Sequence, residues 1–356
     1  MAQKIYRIRD IAELSGVSTG TVDRILHKRG RVSEEARERV MKVLKEIDYH
    51  PNLIARSLAL KKNYRFITLL PSYVDGSYWA EVHRGIEKTK QELFSYNVEV
   101  EEWCYDQYDQ SSFEALITKL KETECQGVVI AVHFKQLVLE LTESLDKKET
   151  PYVFIDATIE GANQLAYYGT DLHMSGYIAG RLMLEQIAPE NDIALFRFAR
   201  KGGAPISQVR NREEGFYSYM EEHSYKGNIL HVDMHAEDND FNWRLLNNLF
   251  TKHPHLAGGI IFNSRVHFLA EYRETHAEIV PENFKLLGYD CIPTNAEYLH
   301  KGLVSYLIAQ RPEVQGVHCV RSLFRHLVLK EYIEPTNYMP IDILMKENID
   351  FYNNYI

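Results

Sequence analysis

The sequence predicts two parts of different class: a small all-α head with a helix-turn-helix, and a large α/β body of two doubly wound parallel-sheet lobes. Three observations lead there. Charge is split along the chain, since residues 1–62 hold 14 Lys+Arg against 8 Asp+Glu, leaving 27 of the 41 Lys+Arg and 42 of the 50 Asp+Glu to the rest. Apolar residues recur at helical spacing on both sides of Gly16. Beyond residue 63, short apolar runs alternate with helical stretches, the pattern of buried parallel strands joined by crossover helices.

In the head, Ile8, Ile11, Ala12, Val17, Val22, Ile25 and Leu26 mark two short helices. Gly16 suits a turn that needs positive φ, Ala12 lets the second helix cross closely, and Ser18 can cap that helix through its hydroxyl. A third helix is expected from Ser33, with Val40, Val43, Leu44 and Ile47 on one face, ending before Tyr49, His50 and Pro51. A basic head suits a polyanion, because Lys and Arg release condensed counterions from phosphates, while an acidic body is repelled by the same surface.

In the body the candidate strands are FITLLP from Phe66, VEVEEWCY from Val98, GVVIAV from Gly127, YVFIDA from Tyr152, LAYYGTD from Leu165, DIALFRFA from Asp192, GNILHVDM from Gly227, GGIIFN from Gly258 and FKLLGYD from Phe284. LVSYLIAQ and MPIDILM add two late strands, too late to extend one sheet in order. The expected domains are 1–50 for the head, 51–63 for a hinge and linker, and 64–356 for the body, with one lobe over 64–165 and 306–332 and the other over 166–305 and 333–356.

Several chemistries are excluded as expectations. Cys104, Cys125, Cys291 and Cys319 form no CxxC pair and no zinc spacing, so neither a disulfide framework nor a metal is expected. In the body GxGxxG, GxxxxGK and GxSxG are absent, so no cofactor and no catalytic residue are expected. His231, Asp233 and His235 alternate on one strand, a spacing open to metal but more often a solvated face, and His253 and His255 flank Pro254 as a loop does. No stretch has the length of a membrane span, and the cytoplasm is the expected compartment.

The run GVSTGTVDRILHKRGRVSEEARERVMKVLKEIDYHPNLIARSLA resembles the DNA-binding head of the LacI/GalR (lactose-repressor) family of bacterial transcription regulators. The resemblance places the second helix in the major groove of a pseudo-palindromic operator bound by a homodimer. It assigns Thr19, Gly20 and Arg24 to base reading and Ser18 and Thr21 to phosphates. Asp23 departs from the family's usual serine, and it either accepts from cytosine N4 or orients Arg24. Asn52, Ala55 and Leu58 fall in the family's hinge helix, with Leu58 the apolar wedge inserted into the minor groove.

More loosely, the body resembles the family's periplasmic-binding-protein type of core, which implies a small-molecule effector, a sugar or sugar derivative, held between the lobes. Ligands of open parallel sheets bind beyond the carboxyl ends of strands. There the sequence has Ser72, Tyr73, His133, Asp156, Asn263, Asp290 and Gln310, with Arg212 three residues before Gly215. The resemblance implies ligand contact by Asp156, Arg212, Asn263, Asp290 and Gln310, and Tyr78, Trp79 and Trp243 offer rings for a sugar's C–H face. Ser264 and Arg265 depart from the family, which continues with Asp. Arg200, Lys201, Arg210 and Arg212 suggest an acidic or phosphorylated sugar. The other readings are a carbohydrate receptor without a DNA role, a regulator with a non-sugar effector, and a sugar-modifying enzyme built on Asp156, Asp290 and the histidines.

Overall fold

The computed structural model describes residues 8–26, 32–47, 63–199, 207–236 and 238–352. The chain divides into two compact units, Met1–Lys62 and Asn63–Ile356. The hinge at 51–62, with Asn52, Ala55 and Leu58, lies outside the described residues, as do Arg200 and Lys201.

Among the described residues the head has three helices, α1 (Ile8–Ser15), α2 (Thr19–Leu26) and α3 (Glu34–Glu46). Gly16 has φ +64°, Val17 N–H donates to Ala12 O at 3.1 Å, and Gly16 N–H donates to Glu13 O at 3.4 Å. That pair of bonds is the Schellman closure, which only a residue at ease with positive φ permits. Ser33 caps α3 by accepting from Ala36 N–H. Ile11, Ala12, Val22, Ile25, Val40 and Val43 form the buried centre, with Leu44 and Ile47 packed at its edge.

The body holds two six-stranded sheets. The first contains β1 (Tyr64–Pro71), β2 (Val98–Tyr105), β3 (Gly127–Ala131), β4 (Tyr152–Ile155), β5 (Ala166–Gly169) and β11 (Thr336–Tyr338), in the order β11-β5-β4-β3-β1-β2. The second contains β6 (Ile193–Ala199), β7 (Ile229–His235), β8 (Gly258–Ile261), β9 (Lys285–Tyr289), β10 (Tyr306–Ala309) and β12 (Asp342–Leu344), in the order β12-β10-β9-β8-β6-β7. The orders match position by position. All pairings are parallel except β10 with β12.

Each sheet is covered on both faces. In the first lobe Phe66 and Leu70 pack with α4 (Tyr78–Leu93) and α12 (Pro312–Phe324), whereas Ile67 and Leu69 pack with α5 (Gln110–Glu122) and α6 (Lys135–Lys147). Successive strand residues point to opposite faces, so a strand apolar throughout is what a twice-covered sheet needs. In the second lobe Ile193 and Leu195 pack with α7 (Leu172–Leu184) and α8 (Ser207–Glu222), and Ala194 and Phe196 with α9 (Asn239–Lys252), α10 (Val266–Thr275) and α11 (Pro293–His300).

All eleven expected strands form, but the expected lobe limits need correction. β5 belongs to the first sheet, β10 to the second, and β11, which lacks any apolar run, to the first again. The chain changes lobes after β5, after β10 and after β11, because each of those strands pairs with its neighbour before the chain leaves the sheet. His231, Asp233 and His235 lie on an exposed strand face, the His231 ring bonded to Tyr217 OH at 2.8 Å, and no metal-holding group of three occurs among the described residues. His253 and His255 fall in the loop after α9.

Candidate functional site: a cleft between the lobes

The two sheets aim their carboxyl ends at a cleft of about 470 Å³ lined by residues of both lobes. Ser72, Tyr73, Tyr78, Trp79, His133, Asp156, Arg212, Asn263, Asp290 and Gln310 all line it. Trp243 does not. It lies edge-on to Tyr272 and His276 in the second lobe's core, where its ring has more apolar surface to cover.

The floor is built from equivalent positions in the two lobes. Asp156 follows β4 with φ +68°, and Asp290 follows β9 with φ +67°. Asp156 N–H donates to Tyr168 O and Asp290 N–H to Ile308 O, each at 3.0 Å and each reaching the neighbouring strand. Aspartate tolerates the left-handed region better than most side chains, and the turn there ends strand alternation beside the cleft. Tyr78 OH donates to Asp156 Oδ1 at 3.0 Å, Gln208 Nε2 donates to its Oδ2 at 3.3 Å, and Gln310 Nε2 donates to Asp290 Oδ1 at 2.8 Å.

Burial raises the pKa of both carboxyls, and the Arg212 guanidinium opposes it. Asp290 is pushed up to about 6, with Asp156 adding to the rise. Arg212 is itself 4% exposed. Its Nη1 donates to Phe262 O at 2.8 Å, its Nη2 to Gln310 Oε1 at 3.1 Å, and its guanidinium carbon lies 4.4 Å from the centre of the Tyr289 ring. The Nε of Arg212 is buried with no partner among the described residues, which leaves one donor of the guanidinium unused.

Gln310 sits where the chain crosses from β10 to α12, and its Oε1 also accepts from Thr170 Oγ1 at 3.3 Å, at the crossing from β5 to α7. The floor is therefore tied to two of the connections by which the chain crosses between the lobes.

The first lobe supplies the rings. Trp79 meets Tyr78 edge-on at 5.1 Å and the His133 ring at 5.5 Å, and His133 Nδ1 bonds with Tyr105 OH at 3.1 Å. Tyr73 stacks on His83 at 4.9 Å and donates its hydroxyl to Glu102 at 2.7 Å. In the second lobe Asn263 closes a tight turn by accepting from Arg265 N–H at 3.0 Å.

Sequence reasoning missed Gln107, Tyr108, Gln208, His267 and Ile292, and counted Arg265 only as a departure, yet all six line the cleft. Tyr108 followed a strand end and was open to the same rule. Ile292 also followed a strand end but offers no polar group, and Gln208 carried no such signal. The set of basic residues disperses: Arg210 is exposed beside Glu214, and only Arg212 of the described members enters the cleft.

In the head, Ser18, Thr19, Gly20 and Arg24 are exposed along the start and outer side of α2. Ser18 Oγ accepts from Thr21 N–H at 3.1 Å and bonds Thr21 Oγ1 at 2.9 Å, so the cap also orients both hydroxyls.

A helix-turn-helix followed by a two-lobed ligand cleft defines a DNA-binding regulator of the effector-responsive class. Comparison agrees: residues 7–52 match the bacterial regulatory proteins of the lacI family, and residues 67–331 match the periplasmic binding protein domain. The structure of a Bacteroides fragilis protein assigned as a LacI transcriptional regulator is 37% identical, covers 82% of this chain and all of its own, and superposes with a TM-score of 0.78. The ribose operon repressor of Bacillus subtilis (strain 168) is 27% identical over 80% of this chain and 82% of its own. GanP, a glucose-galactose binding protein from Geobacillus stearothermophilus, shares the fold at 19% identity and a TM-score of 0.69, over 81% of this chain and 99% of its own. The chain belongs to the LacI family of bacterial regulatory proteins.

Proposed function

We propose that the protein is a cytoplasmic homodimer that binds a pseudo-palindromic operator and adjusts its grip when a neutral sugar enters the cleft. The observation that carries the ligand class is the floor. Two carboxyls, one guanidinium and two side-chain amides offer paired donors and acceptors, which vicinal hydroxyls match in both directions. Aromatic faces opposite suit C–H surface. The lining holds two carboxyls, Asp156 and Asp290, against two guanidiniums, Arg212 and Arg265, leaving no surplus positive charge for a uronate or phosphate. A pentose or hexose is the expected size of ligand, in line with a relative that represses a ribose operon.

Binding acts on DNA through differential affinity: a ligand that prefers one arrangement of the lobes shifts the population toward it, and operator affinity shifts by the same coupling free energy. Residues 51–63 serve as the hinge, Asn52, Ala55 and Leu58 contact DNA there, and Ser18, Thr19, Gly20, Thr21 and Arg24 meet the operator from α2. In this reading Asp156 and Asp290 serve to bind the ligand and no reaction is catalysed, in line with relatives named as operon repressors.

The test is calorimetry with D-ribose, D-glucose, D-glucuronate and D-glucose 6-phosphate, alongside operator selection from random duplexes. Tighter binding of a neutral sugar, with a change in operator affinity, supports the proposal. Tighter binding of glucuronate or the phosphate overturns the ligand class, and binding of none of the four removes the sugar reading. In the same assay Arg24→Ala weakens the selected operator by about 1–3 kcal/mol and relaxes base preference at one position, with ligand affinity unchanged. Equal loss on every duplex reassigns Arg24 to a phosphate.

A further inference from the structure

The mouth of the cleft carries a contact that the floor does not require. Arg265, in the turn after β8, reaches out of its own lobe and donates from Nη2 to the hydroxyl of Tyr108 in the other lobe at 2.8 Å. Its Nη1 donates to Ala236 O at the end of β7 at 3.2 Å, and its guanidinium carbon lies 4.7 Å from the centre of the Phe198 ring. One planar fork is thus fixed by two groups of the second lobe and spends its remaining arm on the first, a geometry that a point-charge ammonium cannot copy.

Both ends are held rigidly. Tyr108 N–H donates to Asp106 Oδ1 at 2.8 Å, Asp106 N–H donates to Ser112 Oγ at 2.9 Å, and Asp109 caps α5 through Ser111 N–H. On the other side Asn263 accepts from Arg265 N–H, and Asn295 Nδ2 donates to Ser264 O at 3.0 Å. Two pre-formed turns joined by one charged hydrogen bond lose little further entropy on meeting. Burial also grades across the cleft: Asp156, Arg212, Asp290 and Gln310 are buried, while Tyr108 and Arg265 are half-buried, which places this pair at the rim.

We propose that Arg265 and Tyr108 form a clasp that holds the two lobes together at the mouth of the cleft and so sets the population of the closed arrangement before any ligand arrives. The two are positioning residues. Their bond exists only while the lobes are together, so it favours closure by its own free energy, and a ligand bound behind it leaves more slowly. Only this last consequence rests on the cleft being the ligand site.

The test needs no ligand. Hydrogen exchange is followed on the full chain, free of ligand, in the turns at 106–109 and 263–267. Tyr108→Phe removes one hydroxyl from the first lobe and nothing else, and the expected result is exchange about fivefold faster in the second lobe's turn as well as in its own. Arg265→Gln and Arg265→Lys give the reciprocal change in 106–109, and adding Tyr108→Phe to either makes it no larger. If each variant quickens exchange only in its own turn, or Tyr108→Phe changes neither, the clasp is overturned, whether or not any sugar binds.

Discussion

The two lobes of the body share a strand order and differ in what they bring to the cleft. Each sheet runs through the same six positions, and each ends its fourth strand in an aspartate at positive φ whose N–H bonds the next strand over. Each also packs its first helix on a helix that arrives from the other lobe through a close glycine contact. Gly85 of α4 lies against the backbone of Glu313 in α12, and Gly215 of α8 lies against that of His173 in α7. Onto that common frame the first lobe adds Tyr78, Trp79 and His133, and the second adds Arg212, Asn263 and Gln310. A repeated scaffold with divided chemistry leaves neither lobe with the whole lining of the cleft, so under the proposed function occupancy depends on the lobes' arrangement.

The sharpest way to break this comparison is at the glycine contacts. A Cβ on Gly85 falls onto the Glu313 carbonyl, and one on Gly176 falls onto the Arg212 carbonyl, so alanine must push helices apart. Gly85→Ala and Gly176→Ala are each expected to cost about 3 kcal/mol in urea unfolding. Because Arg212 sits on the displaced backbone, Gly176→Ala is also expected to lose sugar binding, whereas Gly85→Ala retains most of it. Equal loss in both variants says the floor responds to either lobe alike.

A second test uses the paired aspartates. A carboxyl raised to about 6 in the folded protein from an ordinary value of 3.8 binds more protons folded than unfolded, so its contribution to stability is full below the lower value and is lost as pH rises toward the upper. Asp290→Asn keeps an acceptor for Gln310 and a side chain suited to positive φ. It is expected to raise the stability of the ligand-free protein at pH 7.5 by on the order of 2 kcal/mol, to leave it nearly unchanged at pH 4, and to abolish the sugar response. Asp156→Asn shifts stability in the same direction, since burial raises that carboxyl too. Unfolding in urea across that pH range checks both, and a stability loss at pH 7.5 contradicts the burial argument.

The smallest effect separates rings from ions. Trp79→Leu is expected to lower sugar affinity about tenfold, the worth of one aromatic face, with operator binding intact. If affinity is unchanged, the ring only packs against Tyr78 and His133, and the division of labour between the lobes weakens.

Much of this molecule was legible in the chain because its signals are local. Gly16, Ser18 and Ser33 act within one turn of helix, and the apolar runs at Phe66 or Gly127 need only a covered sheet to make sense. The strand-end rule found Asp156, Asp290 and Gln310 because chain direction decides which end of a parallel strand meets the ligand. Thr336–Tyr338 was invisible, since three residues with one partly buried side chain leave no hydropathy pattern. The same was true of Arg265 with Tyr108, which are 157 residues apart in the chain.

A basic helix-turn-helix head, eleven of the twelve described strands of an α/β body and most of the polar residues of a cleft were legible in the sequence. Those depend on propensity, spacing and chain direction, which act over a few residues. Tertiary structure alone decided which sheet received β5, β10 and β11, which carboxyls share the field of Arg212, and which groups meet across the mouth. Each of these is a pairing between distant segments, and its energy exists only after the lobes have closed the loops between them.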